Sequence, residues 1–389
     1  MESDPCLKFG KYIYAIVHKL ETERKISVEL APETKKLVKM NLAKLLSENK
    51  GILLFDPQPS SFAMLLDHLY QFDTNENRNR YRELFLTTPN INEFISGVVL
   101  NDEGLEHKTK NGKLCRTMLQ NEGIMIGARL DFPSYPLGEG DFEENILLLG
   151  LDNINTRFEF YKEKGCQFLK VTYNILIDKE RPGFRAIDRN AMMLSIFSTM
   201  CHENHIVPIV VITYDRNGDY DLKFCGNKLL SVLGILQHSF IHHRVFMEGV
   251  IFGIDIFGEG NKCKTVTSPQ ERAIYTFKLL IRSLSPRLGG MVLITEHETP
   301  IDATEMLNAV SNPDLIKPWH TSFLFGRALL ESPGLVWSGW DPKVDIAQAE
   351  FLNCAKHNCL ALAGKFFYRV VPDIKFIRPC RCSKHEFYV

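Results

Sequence analysis

Charged and polar side chains recur at one kind of position, near the carboxyl ends of short apolar runs. Asp56 ends the run from Ile52, and Lys170 lies inside the run from Phe168. A carboxylate and an amine at such sites can act as an acid–base pair, and a lysine removed from water can have a lowered pKa and become nucleophilic. The positions of this kind are Asp56, Arg129, Asp131, Lys170, Thr172, Val211, Thr213, Gly253, Asp255, Thr295, Glu296, Gly326 and Arg327.

Histidines give a weaker indication of chemistry. His238, His242 and His243 resemble a metal-ligating group, but they precede the sixth apolar run and therefore belong to the opposite end of that element. His202 and His205 stand near the end of a predicted helix, where cationic or capping roles are commoner than metal ligation. We therefore expect no metal and no cofactor.

The ten cysteines contain no C-x-x-C pair, which argues against a zinc site or a redox couple. Reduced thiols, as in the cytosol, are the favoured interpretation. Cys380 and Cys382 could pair with a partner or a metal, although two ordinary surface thiols are the commoner situation.

Eight apolar, β-branched runs must position these residues, and their starts are separated by about 28 to 45 residues. This spacing suits a strand, a crossover helix and two loops, and runs that are apolar on both faces indicate buried parallel strands. The runs are Ile52–Asp56, Gly97–Leu100, Met125–Leu130, Phe168–Ile175, Val207–Tyr214, Phe246–Phe257, Met291–Thr295 and Thr321–Gly326.

Amphipathic patterns between the runs predict the crossover helices. They are Asn155–Lys164, Asp188–Asn204, Leu222–Phe240, Ser268–Leu284 and Asp302–Val310, with additional helices at Pro32–Glu48 and Val344–Leu362. Eight strands with intervening helices favour an α/β fold of the single-domain (β/α)8 TIM-barrel type with extra N- and C-terminal helices. An open doubly wound sheet is the alternative, but no Gly-x-Gly-x-x-Gly follows any run.

Composition narrows the function classes. Of 389 residues, 45% are hydrophobic and 24% are charged, as in ordinary globular proteins, and 46 Lys and Arg nearly cancel 47 Asp and Glu to give a net charge of -1. No chain-wide field favours nucleic acid or an acidic membrane. The segment Met1–Gly10 does not resemble a signal peptide, and no run approaches the roughly 20 apolar residues of a membrane span. A cytoplasmic protein that contacts neither membrane nor nucleic acid is expected.

The chain resembles the class I fructose-1,6-bisphosphate aldolases over roughly residues 30–365. The segments that carry the resemblance are Gly51–Asp56, Asn75–Arg82, Val207–Val210, His242–His243, Glu248–Gly249, Lys317–Trp319 and Phe325–Leu329. The resemblance implies a glycolytic TIM barrel of tetrameric ancestry, with residues 1–29 as an N-terminal extension and 366–389 as a C-terminal tail. It also implies a lyase that cleaves fructose 1,6-bisphosphate to dihydroxyacetone phosphate and glyceraldehyde 3-phosphate.

The residue that this chemistry requires is missing. Members of the family attack the ketone with a lysine in a Glu-Gly-x-x-x-Lys segment on strand six, and the protonated imine withdraws electrons as the carbon–carbon bond breaks. Here Glu248-Gly249 places Gly253 at the lysine position, and no lysine lies between Lys228 and Lys262.

Neighbouring positions have also changed. The family's paired acid–base glutamates on strand five align with Val211 and Thr213, which cannot exchange a proton at neutral pH. Two arginines align with Leu65 and Thr172. The glycine-rich phosphate loop aligns with Thr295-Glu296-His297, where a carboxylate would repel an incoming dianion.

Other parts of the resemblance are retained. Asp56 and Lys170 keep the positions of the strand-one acid and of a second active-site lysine, and Arg129 replaces another lysine. The resemblance implies substrate-binding roles for Ser61, Arg129, Gly326 and Arg327. Retention as a structural ion-pair network is the competing interpretation, because removing one partner of a buried pair is costly. The terminal Tyr388-Val389 alters the tyrosine-ended tail of the family.

Three hypotheses follow. The leading one is a pseudoenzyme that acts as a noncatalytic subunit, scaffold or phosphate-ligand binder. The second is an active aldolase in which Lys170 forms the imine, or an enzyme for another reaction that uses Asp56 and Lys170. The third is assembly, either as a homo-oligomer or in mixed tetramers with active aldolase subunits. The resemblance also implies actin binding, partly through basic residues around the active-site mouth. Because Leu65, Thr172 and Gly253 stand where three of these cations are expected, we expect weakened actin binding.

Overall fold

The computed structural model describes residues 30–57, 59–130, 134–136, 145–147 and 154–367. The predicted extension at residues 1–29, and the predictions for Asp131, Cys380, Cys382 and Tyr388, lie outside the described residues. Among the described helices, none combines the length and the apolar character that crossing a lipid bilayer requires.

Eight parallel strands close into a barrel, in the order β1-β10-β9-β8-β7-β6-β3-β2. They are β1 Gly51–Phe55, β2 Ile95–Leu100, β3 Met125–Arg129, β6 Phe168–Ile175, β7 Val207–Tyr214, β8 Ile251–Asp255, β9 Gly290–Ile294 and β10 Thr321–Phe325. The pairing of Ile52 with Leu324 joins the first and last strands and closes the barrel. This confirms the (β/α)8 prediction and excludes the open sheet. A short antiparallel pair, β4 Ser134–Pro136 and β5 Asn145–Leu147, follows β3.

Helices surround the barrel and follow its strands. They are α1 Pro32–Leu45, α2 Pro59–His68, α3 Asn75–Leu86, α4 Asp102–Glu106, α5 Cys115–Asn121, α6 Ile154–Glu163, α7 Phe184–Glu203, α8 Leu222–His242, α9 Pro269–Ser283, α10 Pro300–Val310, α11 Arg327–Trp337 and α12 Val344–Leu362. Single 3₁₀ turns occupy Ile91–Glu93, Met247–Gly249 and Asp341–Lys343. The helix predicted from Ser268 is confirmed as α9, and Ser268 caps it in a capping box with Glu271.

Two apolar layers hold the barrel together. The larger layer lies between the strands and the helices, and the smaller one combines side chains from all eight barrel strands with Val38, Leu42, Leu45 and Leu46 around α1. Leu46 packs against Gly290 at the start of β9, so α1 covers the amino-terminal end of the barrel. The opposite end, where the carboxyl ends of the strands meet, is the end at which TIM-barrel enzymes have their active sites.

Aromatic rings pack against two of the strand glycines, Phe168 in the smaller layer and Phe323 in the larger one. A Cβ atom on Gly127 would lie 2.2 Å from Phe168 Cε2, and one on Gly51 would lie 1.9 Å from Phe323 Cε2. Both rings are completely buried. Glycine is required at these two positions because the rings occupy the space of any side chain.

One predicted strand is too long. The run Phe246–Phe257 was predicted to be a single strand, but Met247–Gly249 form a 3₁₀ turn and β8 spans only Ile251–Asp255. Apolar character did not distinguish the two because Met247 and Val250 are buried as deeply as strand residues. β8 nevertheless ends at Asp255, which is one of the residues predicted to lie at a strand end.

Candidate active site at the carboxyl ends of the barrel strands

Gly253, which the resemblance aligns with the imine-forming lysine, is packed with aliphatic side chains. Gly253 lies in the middle of β8, between Val211 of β7 and Val292 of β9. A Cβ atom at Gly253 would lie 2.9 Å from Val211 Cγ2 and 3.1 Å from Ile294 Cδ1. These neighbours are at most 2% exposed. A lysine stem at this position would require the surrounding residues to move, so the barrel centre offers no amine and little room for one.

The neighbouring strand β7 carries no ionisable group at the two positions that the resemblance aligns with acid–base glutamates. Val211 is fully buried in the apolar layer. Thr213 is 1% exposed, and its hydroxyl donates a hydrogen bond to Asn174 Oδ1 at 3.1 Å, which links β7 to β6. Neither side chain can serve as a proton carrier at neutral pH.

The structure brings three of the predicted residues together in one ion cluster. Lys170 Nζ lies 3.1 Å from Asp56 Oδ2, and both side chains are almost completely buried. Arg129 Nη1 lies 3.9 Å from the same carboxylate oxygen. Arg129 and Lys170 are paired neighbours on β3 and β6, while Asp56 directly follows β1. One carboxylate therefore faces two cations inside the barrel mouth.

The remaining predicted residues line a neighbouring cavity of about 120 Å³. Ser61 on α2 and the segment Gly326-Arg327 at the start of α11 face it, and Asp56 lies on its border. Leu65, which replaces a family arginine, forms an apolar wall. The first turn of α11 presents backbone N–H groups, which favour anions at a helix amino terminus.

Arg327 is already engaged within its own helix. Its Nε donates a hydrogen bond to Glu331 Oε2 at 2.8 Å, and the two side chains are 34% and 22% exposed. An anion in the cavity would have to compete with Glu331 for the guanidinium group. The cavity thus retains one cation and a serine but has an internal competitor for the ligand.

A second cluster, formed by Asp255, Glu296 and His297, lies at the ends of β8 and β9. One potential ligand atom from each residue lies within 4.8 Å of the others. Burial raises the pKa of Asp255 to about 7, and burial together with the charge of Asp255 raises the pKa of Glu296 to about 7. Close to neutrality these carboxyl groups exchange protons readily, so the charge of Glu296 repels an anion less than the sequence suggested.

The sequence patterns did not reveal this cluster. The sequence places Asp255 and Glu296 at strand ends and His297 in the loop that aligns with the phosphate loop, but no pattern in it pairs the three residues. The available signal was the adjacency of β8 and β9, which places residues that follow the two strands at one edge of the barrel.

Arginines hold a further acid beside the cluster. Arg272 makes two hydrogen bonds to Glu298, at 2.7 and 2.9 Å, and Arg216 donates a third at 2.7 Å. Burial alone would raise the pKa of Glu298, but the hydrogen bonds from Arg272 and the charge of Arg216 lower it below its usual value. Glu298 is therefore a structural carboxylate, which fixes the turn that carries Glu296 and His297.

The histidine predictions have mixed outcomes. His202 was expected to act as a cation or a cap, but it is completely buried, and burial lowers its pKa to about 4. It is therefore neutral, because no water reaches a charge at this site. His238 and His242 stack on the exposed side of α8 with ring centroids 6.4 Å apart, away from the strand ends.

A closed (β/α)8 barrel with ionisable residues at the carboxyl ends of its strands defines a protein with the architecture of TIM-barrel enzymes. The family model of class-I fructose-bisphosphate aldolase matches residues 37–374. A fructose-bisphosphate aldolase of Echinococcus multilocularis is 33% identical over 338 residues, covering 87% of this chain and 93% of that protein. Fructose-bisphosphate aldolase B of Homo sapiens is 32% identical over 340 residues, with the same coverages.

A solved structure shows the same likeness in three dimensions. Fructose-bisphosphate aldolase from Plasmodium falciparum, crystallised with TRAP and a small-molecule inhibitor, superposes with a TM-score of 0.83 at 28% sequence identity. The match covers 88% of this chain and 98% of that one. The chain belongs to the class I fructose-bisphosphate aldolase family.

Proposed function

We propose that this chain is a noncatalytic member of the aldolase family that binds a phosphorylated ligand at the barrel mouth and does not form an imine. The packing around Gly253 carries the proposal, because Val211 and Ile294 occupy the space that a lysine stem would need. A single substitution would leave a vacancy, whereas here the neighbours have closed it. The loss involves the surroundings of the site as well as the nucleophile.

The alternative is an active aldolase that uses Lys170. The contact of 3.1 Å between Lys170 Nζ and Asp56 Oδ2 argues against it. An ammonium group held by a carboxylate has no lone pair with which to attack a ketone. Among the described residues, Arg129 is the only other cation within 4 Å of Asp56. At 3.9 Å it lies too far from the carboxylate to take the place of Lys170 as its ion-pair partner.

Borohydride trapping separates these two functions. The full chain is incubated with dihydroxyacetone phosphate and sodium borohydride and then analysed by peptide mass spectrometry, with an active class I aldolase as the positive control. We expect no modified lysine. A reduced adduct on Lys170 that disappears in Lys170→Met would contradict the proposal and support the alternative enzyme.

The ligand-binding part of the proposal rests on Ser61, Arg327 and the start of α11. Calorimetry with fructose 1,6-bisphosphate and with inorganic phosphate tests it directly. Glu331→Ala releases Arg327 from its intrahelical pair, and because exposed pairs are worth up to about 1 kcal/mol, we expect up to about fivefold tighter binding.

The matched controls are Arg327→Ala, which should abolish binding, and Glu163→Ala, which removes an exposed glutamate elsewhere on the barrel. If the wild-type chain binds neither anion, the ligand-binding role is wrong, although the absence of an imine would still hold.

Assembly is proposed on the basis of family membership, since aldolases form oligomers. We propose that the chain assembles with itself or with active aldolase subunits into mixed tetramers. Native mass spectrometry of the chain, alone and after co-expression with an active relative, distinguishes the two. A monomer under both conditions would contradict this proposal.

A further inference from the structure

The cluster of Asp255, Glu296 and His297 contains a buried oxygen atom without a partner. Asp255 is 2% exposed, and among the described residues its Oδ2 atom makes no hydrogen bond. The ring of His297 faces this oxygen, with its Nε2 atom 3.9 Å away. A carboxylate oxygen left in this state is costly unless a proton or a cation occupies the space in front of it.

The cations around the cluster are committed to other groups. Arg216 donates to Glu298 and to the backbone carbonyl of Glu259, while Lys170 is bound to Asp56. Arg129 also faces that aspartate. Arg216 acts on Asp255, and Lys170 and Arg129 act on Glu296, only through their fields. No protein cation neutralises the cluster by direct contact in the part of the chain that the structure describes.

We propose that Asp255, Glu296 and His297 form a binding site for one divalent transition-metal ion. Each residue supplies one ligand atom, and these atoms lie within 4.8 Å of one another. Neighbouring ligand atoms of a tetrahedral metal with bonds of about 2.1 Å lie about 3.4 Å apart, so the three groups must move inward by up to about 1.4 Å to bind one ion. Carboxylate oxygens accept many cations, but the imidazole nitrogen favours zinc, copper, iron or nickel over calcium, magnesium and manganese.

The exposure and the contacts of His297 are compatible with metal binding. The His297 side chain is 32% exposed, which opens a path for the ion from solvent. Its Nε2 atom lies 3.2 Å from the Tyr214 carbonyl, and ligation through this nitrogen would exchange that contact for the metal.

The proposed site is specific to the altered barrel mouth. Glu296 and His297 occupy the loop that is glycine-rich in the resemblance described above, and Gly253 removes a lysine that would add a positive charge near the ion. Metal binding here does not depend on the phosphate cavity around Arg327. The two sites can therefore be tested separately.

The test uses the untagged full chain after removal of metals with a chelator. Isothermal titration with Zn²⁺ at about pH 7.5 should give one equivalent bound, and Mn²⁺ and Mg²⁺ should bind more weakly. His297→Ala and Glu296→Gln should each weaken binding by at least about tenfold, a loss that even changes to outer-shell groups cause. Asp255→Asn should do the same if it folds.

The matched control is His238→Ala combined with His242→Ala, which removes the exposed histidine pair on α8 and should leave the binding constant unchanged. His297 is largely on the surface, so His297→Ala should fold, and circular dichroism checks this. The absorption spectrum of bound Co²⁺ provides a second measurement, because it should change in His297→Ala. Absence of stoichiometric binding, binding unaffected by His297→Ala, or binding lost in the α8 control would each overturn the proposal.

Discussion

At the scale of residues, the barrel mouth combines a closed nucleophile position with a retained ion cluster. Gly253 is surrounded by Val211 and Ile294, so its lack of a side chain is now required by packing. Asp56 and Lys170 form a buried ion pair in a barrel whose β8 strand carries no lysine. Retention of a pair of this kind follows from the cost of leaving either charge alone in the interior.

Gly253→Ala should destabilise the barrel by about 1–3 kcal/mol, because the added methyl group meets buried side chains. Val211→Ala in the same chain should recover part of this loss, since it removes the nearest contact. Urea unfolding measures both effects. The control is Gly234→Ala on α8, where no atom lies within 4 Å of the new Cβ and helix propensity predicts a gain of up to about 1 kcal/mol. Equal effects at the two glycines would show that packing at Gly253 is loose.

Lys170→Met and Asp56→Asn should each lower the free energy of unfolding by about 3–5 kcal/mol, because each leaves a buried charge without its partner. The double variant should lose clearly less than the sum of the two, which a double-mutant cycle measures. Arg287→Met serves as the control, since its pair with Glu248 is largely exposed and should contribute under about 1 kcal/mol. Additive losses at Asp56 and Lys170 would contradict the ion-pair interpretation.

At the scale of elements, the start of α9 links local sequence signals to the geometry of the site. Ser268 and Glu271 form the capping box, and the next residue, Arg272, binds Glu298 with two hydrogen bonds. Glu298 in turn belongs to the turn that carries Glu296 and His297. The start of α9 therefore helps to fix the acidic turn that follows β9.

Ser268→Ala should destabilise the protein by about 0.5–2 kcal/mol, because the backbone N–H of Glu271 loses its acceptor. Thermal and urea unfolding measure the change. Ser231→Ala provides a matched control, since this exposed serine bonds to Asn227 within α8 and its loss should change stability by a few tenths of a kcal/mol at most. A comparable loss in both variants would indicate that the cap is not formed in solution.

At the scale of the whole molecule, acid stability depends on buried neutral histidine. His202 lies completely buried on α7, near Gly249 and the ring of Phe246, and burial lowers its pKa to about 4. Below about pH 6.5 the unfolded chain takes up a proton that the folded chain does not. The stabilisation from neutral His202 is therefore complete above this pH and is lost as the pH falls towards about 4.

The His202 contribution to the free energy of unfolding should be about 2 kcal/mol smaller at about pH 5 than at about pH 7.5. Urea unfolding of wild type and of His202→Leu should thus give a stability difference that shifts by this amount in favour of the variant on acidification. His205→Asn, which changes an exposed histidine three residues away, should retain the pH dependence of the wild type. A constant difference between wild type and His202→Leu would mean that folding does not shift the pKa of His202, which would contradict its burial as a neutral group.

The sequence by itself determined the eight barrel strands, the approximate extents of seven helices and the absence of a lysine at position 253. These features are local, since apolar period, capping residues and residue identity can all be read along the chain. The boundary between Met247–Gly249 and β8 could not be read in this way, because buried 3₁₀ and strand residues are equally apolar.

Only the tertiary structure decided which ionisable residues face one another. Asp56 and Lys170 are 114 positions apart and meet because β1 and β6 belong to one closed barrel. Asp255 meets Glu296 and His297 because β8 and β9 are adjacent. Burial, and with it the pKa of Asp255 and of His202, depends on the atoms that pack around a side chain from distant segments. The same ionisable residue type therefore behaves differently on the surface and inside the barrel, because only folding removes the water that solvates its charge.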